Sequence, residues 1–229
     1  MAQIAVVDYG MGNLRSVAKA LEHVAPQCTV TVTGDPELVR RADRVVFPGQ
    51  GAMRDCMREM DALGLREAIV AAAREKPFLG ICIGLQMLFD HSEESDTPGL
   101  GLLPGKVRRF PSAKMVDAQG AKLKVPHMGW NEVHQCGAHA LWAGIPDGTR
   151  FYFVHSYFAE PAQPESIAGY SRYPFPFTCA VASANVFAVQ FHPEKSHDAG
   201  LRLLANFAVW EPLDAREPVV PAAARGTSA

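Results

Sequence analysis

Two rhythms of apolar positions alternate through the first half of the chain. Short β-branched runs, IAVVDY, CTVTVT and RVVFPG, are separated by stretches such as NLRSVAKALEHV, in which apolar residues recur every three or four positions. The first rhythm predicts strands and the second helices, so the order is βαβαβ and the sheet is parallel. A Met-rich amphipathic stretch from Met53 to Met60 and an Ala-rich helix from Leu65 to Arg74 lead into PFLGICIGLQMLFD, read as a buried strand running straight into a helix. From Gly99 onward the texture changes to strands with turn signals: GKVRRF, HMGWNEV, TRFYFVHSYF and NVFAVQFHPE. These predict a mixed or antiparallel extension of the sheet. A last helical pattern, HDAGLRLLANFAVW, closes a single domain over residues 1–210, and the Pro- and Ala-rich stretch 211–229 is expected to be a disordered tail.

Composition narrows the partners. A length of 229 residues suits one α/β domain, and 48% hydrophobic with 20% charged residues is ordinary for a globular protein. The formal net charge of -2 gives no reason to expect nucleic acid or an anionic membrane as partner, leaving small molecules or another protein. MAQIAVVDYG lacks the features of a secretory signal, and no apolar run reaches the ~20 residues that span a bilayer, so a cytoplasmic location is expected. Cysteines 28, 56, 82, 136 and 179 form an odd set without CxxC spacing, which predicts reduced thiols.

One thiol stands apart. Cys82 lies between a strand-like run and a helix-like run, with Gly80 and Gly84 flanking it, the cysteine counterpart of the nucleophile elbow. A helix starting there would direct its positive end at the sulfur and favour the thiolate. The bland alternative, a small hydrophobe in a core, is accepted for Cys28, Cys56, Cys136 and Cys179. At the end of VFAVQFHPE, His192 and Glu194 point to the same side of an extended chain, so the carboxylate can orient the imidazole. Thiol, imidazole and carboxylate are the parts of a nucleophilic acyl-transfer site. Pro48-Gly49-Gln50-Gly51 ends a parallel strand at the sheet edge where ligands sit, and its backbone N–H groups, with that of Ile83, can face an oxyanion. In isolation each of these segments could be an ordinary turn.

Together, PGQG at 48–51, GICIGLQ at 80–86 and HPE at 192–194 resemble the class I (triad) glutamine amidotransferases, in order and separation, over nearly the whole chain to Trp210. The resemblance implies a flavodoxin-like three-layer α/β fold with a mostly parallel central sheet, an antiparallel extension and flanking helices. It also implies a glutaminase in which Cys82 attacks the side-chain amide, His192 is acid and base, and Glu194 orients it. Gln86 and the backbone of His155, Ser156 and Tyr157 would hold glutamine, with Gly49, Gln50 and Gly51 near the oxyanion. No cofactor or metal is implied. DYGMGNLRSV, PHMGWNEV and FVHSYF are similar to the branch of the family that forms a heterodimer with a (β/α)8 cyclase in histidine biosynthesis. There ammonia from glutamine yields imidazole glycerol phosphate and an aminoimidazole carboxamide ribotide. In that case Asn13, Met128, Trp130 and Asn131 face the partner. Gln50 and Leu85 depart modestly from the usual pattern and leave the triad intact.

Rival readings are weaker. DYGMGNLR offers Gly10 and Gly12 for a dinucleotide fingerprint, but Arg15 stands where the third glycine belongs. His134, Cys136 and His139 cluster without a fourth zinc ligand. A non-catalytic subunit of the same fold would have lost a triad member. A glutaminase serving another ammonia-using synthase, or a stand-alone cysteine hydrolase, is left to experiment.

Overall fold

The computed structural model describes residues 1–117 and 119–212. The first half runs β1 (Gln3–Val7), α1 (Leu14–Val24), β2 (Thr29–Thr33), α2 (Pro36–Arg41), β3 (Arg44–Gly49), α3 (Met53–Ala62), α4 (Arg66–Glu75), β4 (Phe78–Cys82) and α5 (Ile83–Gln86). The second half contains β5 (Phe89–Ser92), β6 (Thr97–Pro98), β7 (Leu103–Arg109), β8 (His127–Glu132), β9 (His134–Gln135), β10 (Arg150–His155) and β11 (Tyr157–Pro161). It closes with β12 (Ile167–Arg172), β13 (Pro176–Ser183), β14 (Val186–Val189) and α6 (His197–Val209). Among the described residues no helix is long and apolar enough to cross a membrane.

The expected architecture forms. Strands β2, β1, β3, β4 and β14 lie side by side and parallel. Beyond β14 the sheet continues antiparallel through β13, β11 and β7. Residues 44–49 and 78–82 are buried throughout, as strands covered on both faces require. Helix α1 buries Val17, Ala18, Ala20 and Leu21, the stripe that its periodicity marked.

Three expectations need correction. LQMLFD is not a helix: α5 is a single turn, and the chain re-enters a strand at Phe89. Leu85, Met87, Leu88 and Phe89 are all fully buried, and a short run without a polar face carries no period that separates helix from strand. So short a helix offers the sulfur little of the expected dipole. TRFYFVHSYF breaks at Ser156, where the chain leaves the two-stranded β8–β10 ribbon for the large sheet. Of the four cysteines assigned to the core, Cys56 and Cys179 are buried, but Cys28 is half-buried and Cys136 exposed. The tail expected to be disordered lies outside the described residues from position 213 onward.

Candidate active site

Parallel pairing of β3 with β4 sets Gly49 opposite Cys82, so the PGQG loop and the end of β4 meet at one sheet edge. There the chain turns sharply. Cys82 adopts φ 56° and ψ -110°, a conformation that L residues rarely tolerate. Its small neighbours permit the turn: a Cβ on Gly84 would fall 1.8 Å from the Phe47 carbonyl oxygen, and one on Gly49 would fall 2.5 Å from the Tyr9 hydroxyl oxygen. Tyr9 itself donates a 2.7 Å hydrogen bond to the Pro48 carbonyl, which ties the loop to β1.

Strand β14 lies beside β4 and carries the chain through Gln190 and Phe191 to His192. Cys82 and His192 thereby line one cavity of about 310 Å³. The His192 Nδ1–H donates to Glu194 Oε1 at 2.9 Å, and the Glu194 side chain is only 1% exposed. Burial alone pulls the imidazolium of His192 down. The Cys82 sulfur and the Glu194 carboxylate outweigh it and hold the group up at about 10. Nε2 of His192 nevertheless has no partner in hydrogen-bond geometry among the described residues. The sulfur and the ring thus line one cavity without a hydrogen bond of standard geometry between them.

Gln50, Gly51, Ile83, Gln86, His155, Ser156 and Tyr157 line the same cavity, and Gly49 flanks it through Cys82. Nε2 of Gln86 donates to the Tyr157 carbonyl at 3.2 Å and to Gln190 Oε1 at 3.0 Å. Its Oε1 is buried without a partner among the described residues, an acceptor free for a bound ammonium or amide. Met128 and Trp130, on β8, are 62% and 43% exposed, and Asn131 beside them is half-buried. Asn13 precedes α1 without a side-chain cap hydrogen bond, so its amide is not spent on the helix.

Several residues at the site went unread in the sequence. Gln190 donates to the Cys82 sulfur at 3.8 Å, and Glu94, Pro126 and Val154 add to the wall. A glutamine inside the apolar run VFAVQF was the available signal for the first, because a buried amide needs partners. Among the described residues no three metal-ligating side chains converge. His134 faces Asp147 at 3.4 Å, whereas His139 accepts from the Leu141 N–H. A larger cavity of about 870 Å³ around Arg108, Arg109 and Lys114 holds neither thiol nor imidazole.

A family model described as glutamine amidotransferase class-I matches residues 5–210. The chain is 71% identical over 209 residues to imidazole glycerol phosphate synthase subunit HisH of Thiobacillus denitrificans, covering 91% of this chain and 92% of that protein. It is 68% identical over 213 residues to the protein of the same name from Nitrosospira multiformis, covering 93% and 100%. Solved structures of similar fold include the glutaminase domain of Trypanosoma brucei CTPS with bound acivicin, at TM-score 0.60 and 19% identity over 93% of this chain and 96% of that one. PurLQS from Thermotoga maritima is similar at TM-score 0.66 and 18% identity, covering 90% and 97%.

Proposed function

The chain belongs to the class-I glutamine amidotransferases, and from that membership we propose that it is the glutaminase subunit of an imidazole glycerol phosphate synthase, working in the cytoplasm on L-histidine biosynthesis. One observation carries the chemistry: Cys82 at a strained elbow shares a cavity with an imidazole that a buried carboxylate holds at 2.9 Å. The catalytic domain is taken as residues 1–210.

In this reading the Cys82 thiolate attacks the side-chain carbonyl carbon of glutamine. The C–N bond then breaks as the His192 imidazolium protonates the leaving nitrogen, giving ammonia and a thioester. Water, deprotonated by the now neutral His192, attacks the thioester; the C–S bond breaks, glutamate leaves, and the proton left on the ring restores the starting ion pair. Glu194 keeps Nδ1 protonated so that Nε2 faces the reaction. The backbone N–H of Ile83 and those of Gly49, Gln50 and Gly51 are the donors proposed for the oxyanion. Gln86 Oε1 suits the α-ammonium group, and the backbone of His155, Ser156 and Tyr157 forms the opposite wall.

The ammonia is passed to a (β/α)8 cyclase subunit, docked on the face that bears Asn13, Met128, Trp130 and Asn131. Exposed Met128 and Trp130 support this placement, because aromatic and Met side chains are favoured at binding surfaces. The test is glutamate release by the chain alone and with the cyclase and its substrate present. Strong activation by the partner is expected; equal rates would point to a stand-alone hydrolase. A complex carrying Cys82→Ala should lose glutamine-dependent turnover and still run on ammonium salts, and loss of both would refute a role confined to ammonia release.

A further inference from the structure

Behind the cavity wall lies a chain of polar side chains that the mechanism above does not use. His155 Nδ1 is 2.7 Å from the Tyr157 carbonyl oxygen, an acceptor only, so Nδ1 carries the proton and donates. His155 Nε2 is 2.9 Å from His127 Nδ1, and Asn131 Nδ2 is 3.2 Å from His127 Nε2. The Asn131 amide is oriented by its other bonds: Oδ1 accepts from the Glu132 N–H at 2.8 Å, and Nδ2 donates to the Arg172 carbonyl at 2.8 Å. The protons then have only one arrangement. Asn131 donates to Nε2 of a neutral His127, His127 donates from Nδ1 to Nε2 of a neutral His155, and His155 donates to the Tyr157 carbonyl. A proton added to either ring would set donor against donor. Burial acts in the same direction, lowering His127 to about 4 and His155 to about 3.

The terminus of this chain matters. The Tyr157 carbonyl accepts from both His155 and Gln86, and Gln86 in turn donates to Gln190, whose amide donates to the Cys82 sulfur. With that carbonyl accepting from both, the Gln86 amide is held with Nε2 toward Tyr157 and Gln190 and with its buried Oε1 left unpaired among the described residues, rather than flipped. We propose that His127, buried and outside the cavity lining, is a positioning residue of the glutaminase: through His155 and the Tyr157 carbonyl it fixes the Gln86 and Gln190 amides that bracket Cys82 and receive glutamine. This rests on the glutaminase reading. His127 has no access to substrate, and its packing role is separable, since it stacks on Tyr173 at 4.1 Å between ring centroids.

Two measurements test it. In the full chain assembled with the cyclase, His127→Phe preserves the stacking ring and removes both hydrogen bonds. The KM for glutamine should rise about tenfold, the scale of one uncompensated buried polar group, while turnover on ammonium salts is unchanged. His127→Asn, whose amide reproduces the donor at the Nδ1 position, should recover most of the loss. A His127→Phe complex with unaltered glutamine KM while the wild type is active would overturn the positioning role alone. A wild-type complex that releases no glutamate would overturn the glutaminase reading, and this role with it. Independently of any variant, ¹⁵N spectra of the imidazoles should report Nδ1–H tautomers for both His127 and His155. An Nε2–H tautomer at either ring would refute the relay.

Discussion

Cys82 holds its sulfur at the sheet edge only by adopting a backbone conformation with φ 56°, where an L side chain crowds its own backbone. Such a residue costs of order 1–3 kcal/mol, maintained by the packing around it. The cost can be separated from the chemistry. Cys82→Ala retains a Cβ and its strain, whereas Cys82→Gly relieves it, so the glycine variant should be the more stable of the two by roughly 1 kcal/mol in denaturant titrations. Equal stabilities would mean that the elbow is unstrained. Both variants should be inactive on glutamine. His192 offers a second test at this scale. Burial pulls its imidazolium down, but Cys82 and Glu194 hold it up at about 10, above the roughly 6.5 of an unfolded histidine. A raised value stabilises the fold fully below about pH 6.5 and progressively less as pH climbs toward about 10. Glu194→Gln weakens that hold, so the melting-temperature gap between wild type and variant should be widest near pH 6 and narrow toward pH 10. A gap that widened with pH would contradict the assignment.

Among the elements, β8 joins two roles. Its inward His127 and neighbouring Asn131 start the relay, while Met128 and Trp130 stand outward. The Trp130 ring lies flat on His197, with centroids 5.0 Å apart and planes at 6°. A preformed aromatic platform of this kind is the sort of anchor that dominates docking, so Trp130→Ala should weaken the complex by roughly thirtyfold or more in a titration with the cyclase. An unchanged affinity would move the docking face elsewhere. The elements were unequally legible. Helix α1, β1 and β3 follow from periodicity, because one helical stripe or one apolar run decides their burial, whereas β2 keeps its strand pattern at the sheet edge with most of its residues exposed. The glycines around Cys82 were legible too, since the crowding at Gly84 admits no side chain. The single-turn α5 was not, because LQMLFD is apolar at nearly every position. Nor was the sheet change at Ser156, where an unbroken alternation conceals a switch of hydrogen-bonding partner from β8 to β7.

At the scale of the molecule, the sheet order β2-β1-β3-β4-β14 brings together what the chain keeps apart. HPE and GICIG could each be identified from their residues, and the family likeness paired them. Composition and period alone could not, since nothing local states that residues 186–189 dock beside 78–81. His127 and Gln190 stayed hidden for a related reason: a polar residue inside an apolar strand declares a need for a partner but not which partner. The same sheet order has a consequence for how the protein comes into being. The seat beside β4 is filled by β14, the last of the described strands to leave the ribosome. Until β14 is made, a nascent chain therefore holds Cys82 without His192, its proposed partner. In the proposed mechanism, a product truncated before β14 would lack both His192 and Glu194 and release no glutamate from glutamine.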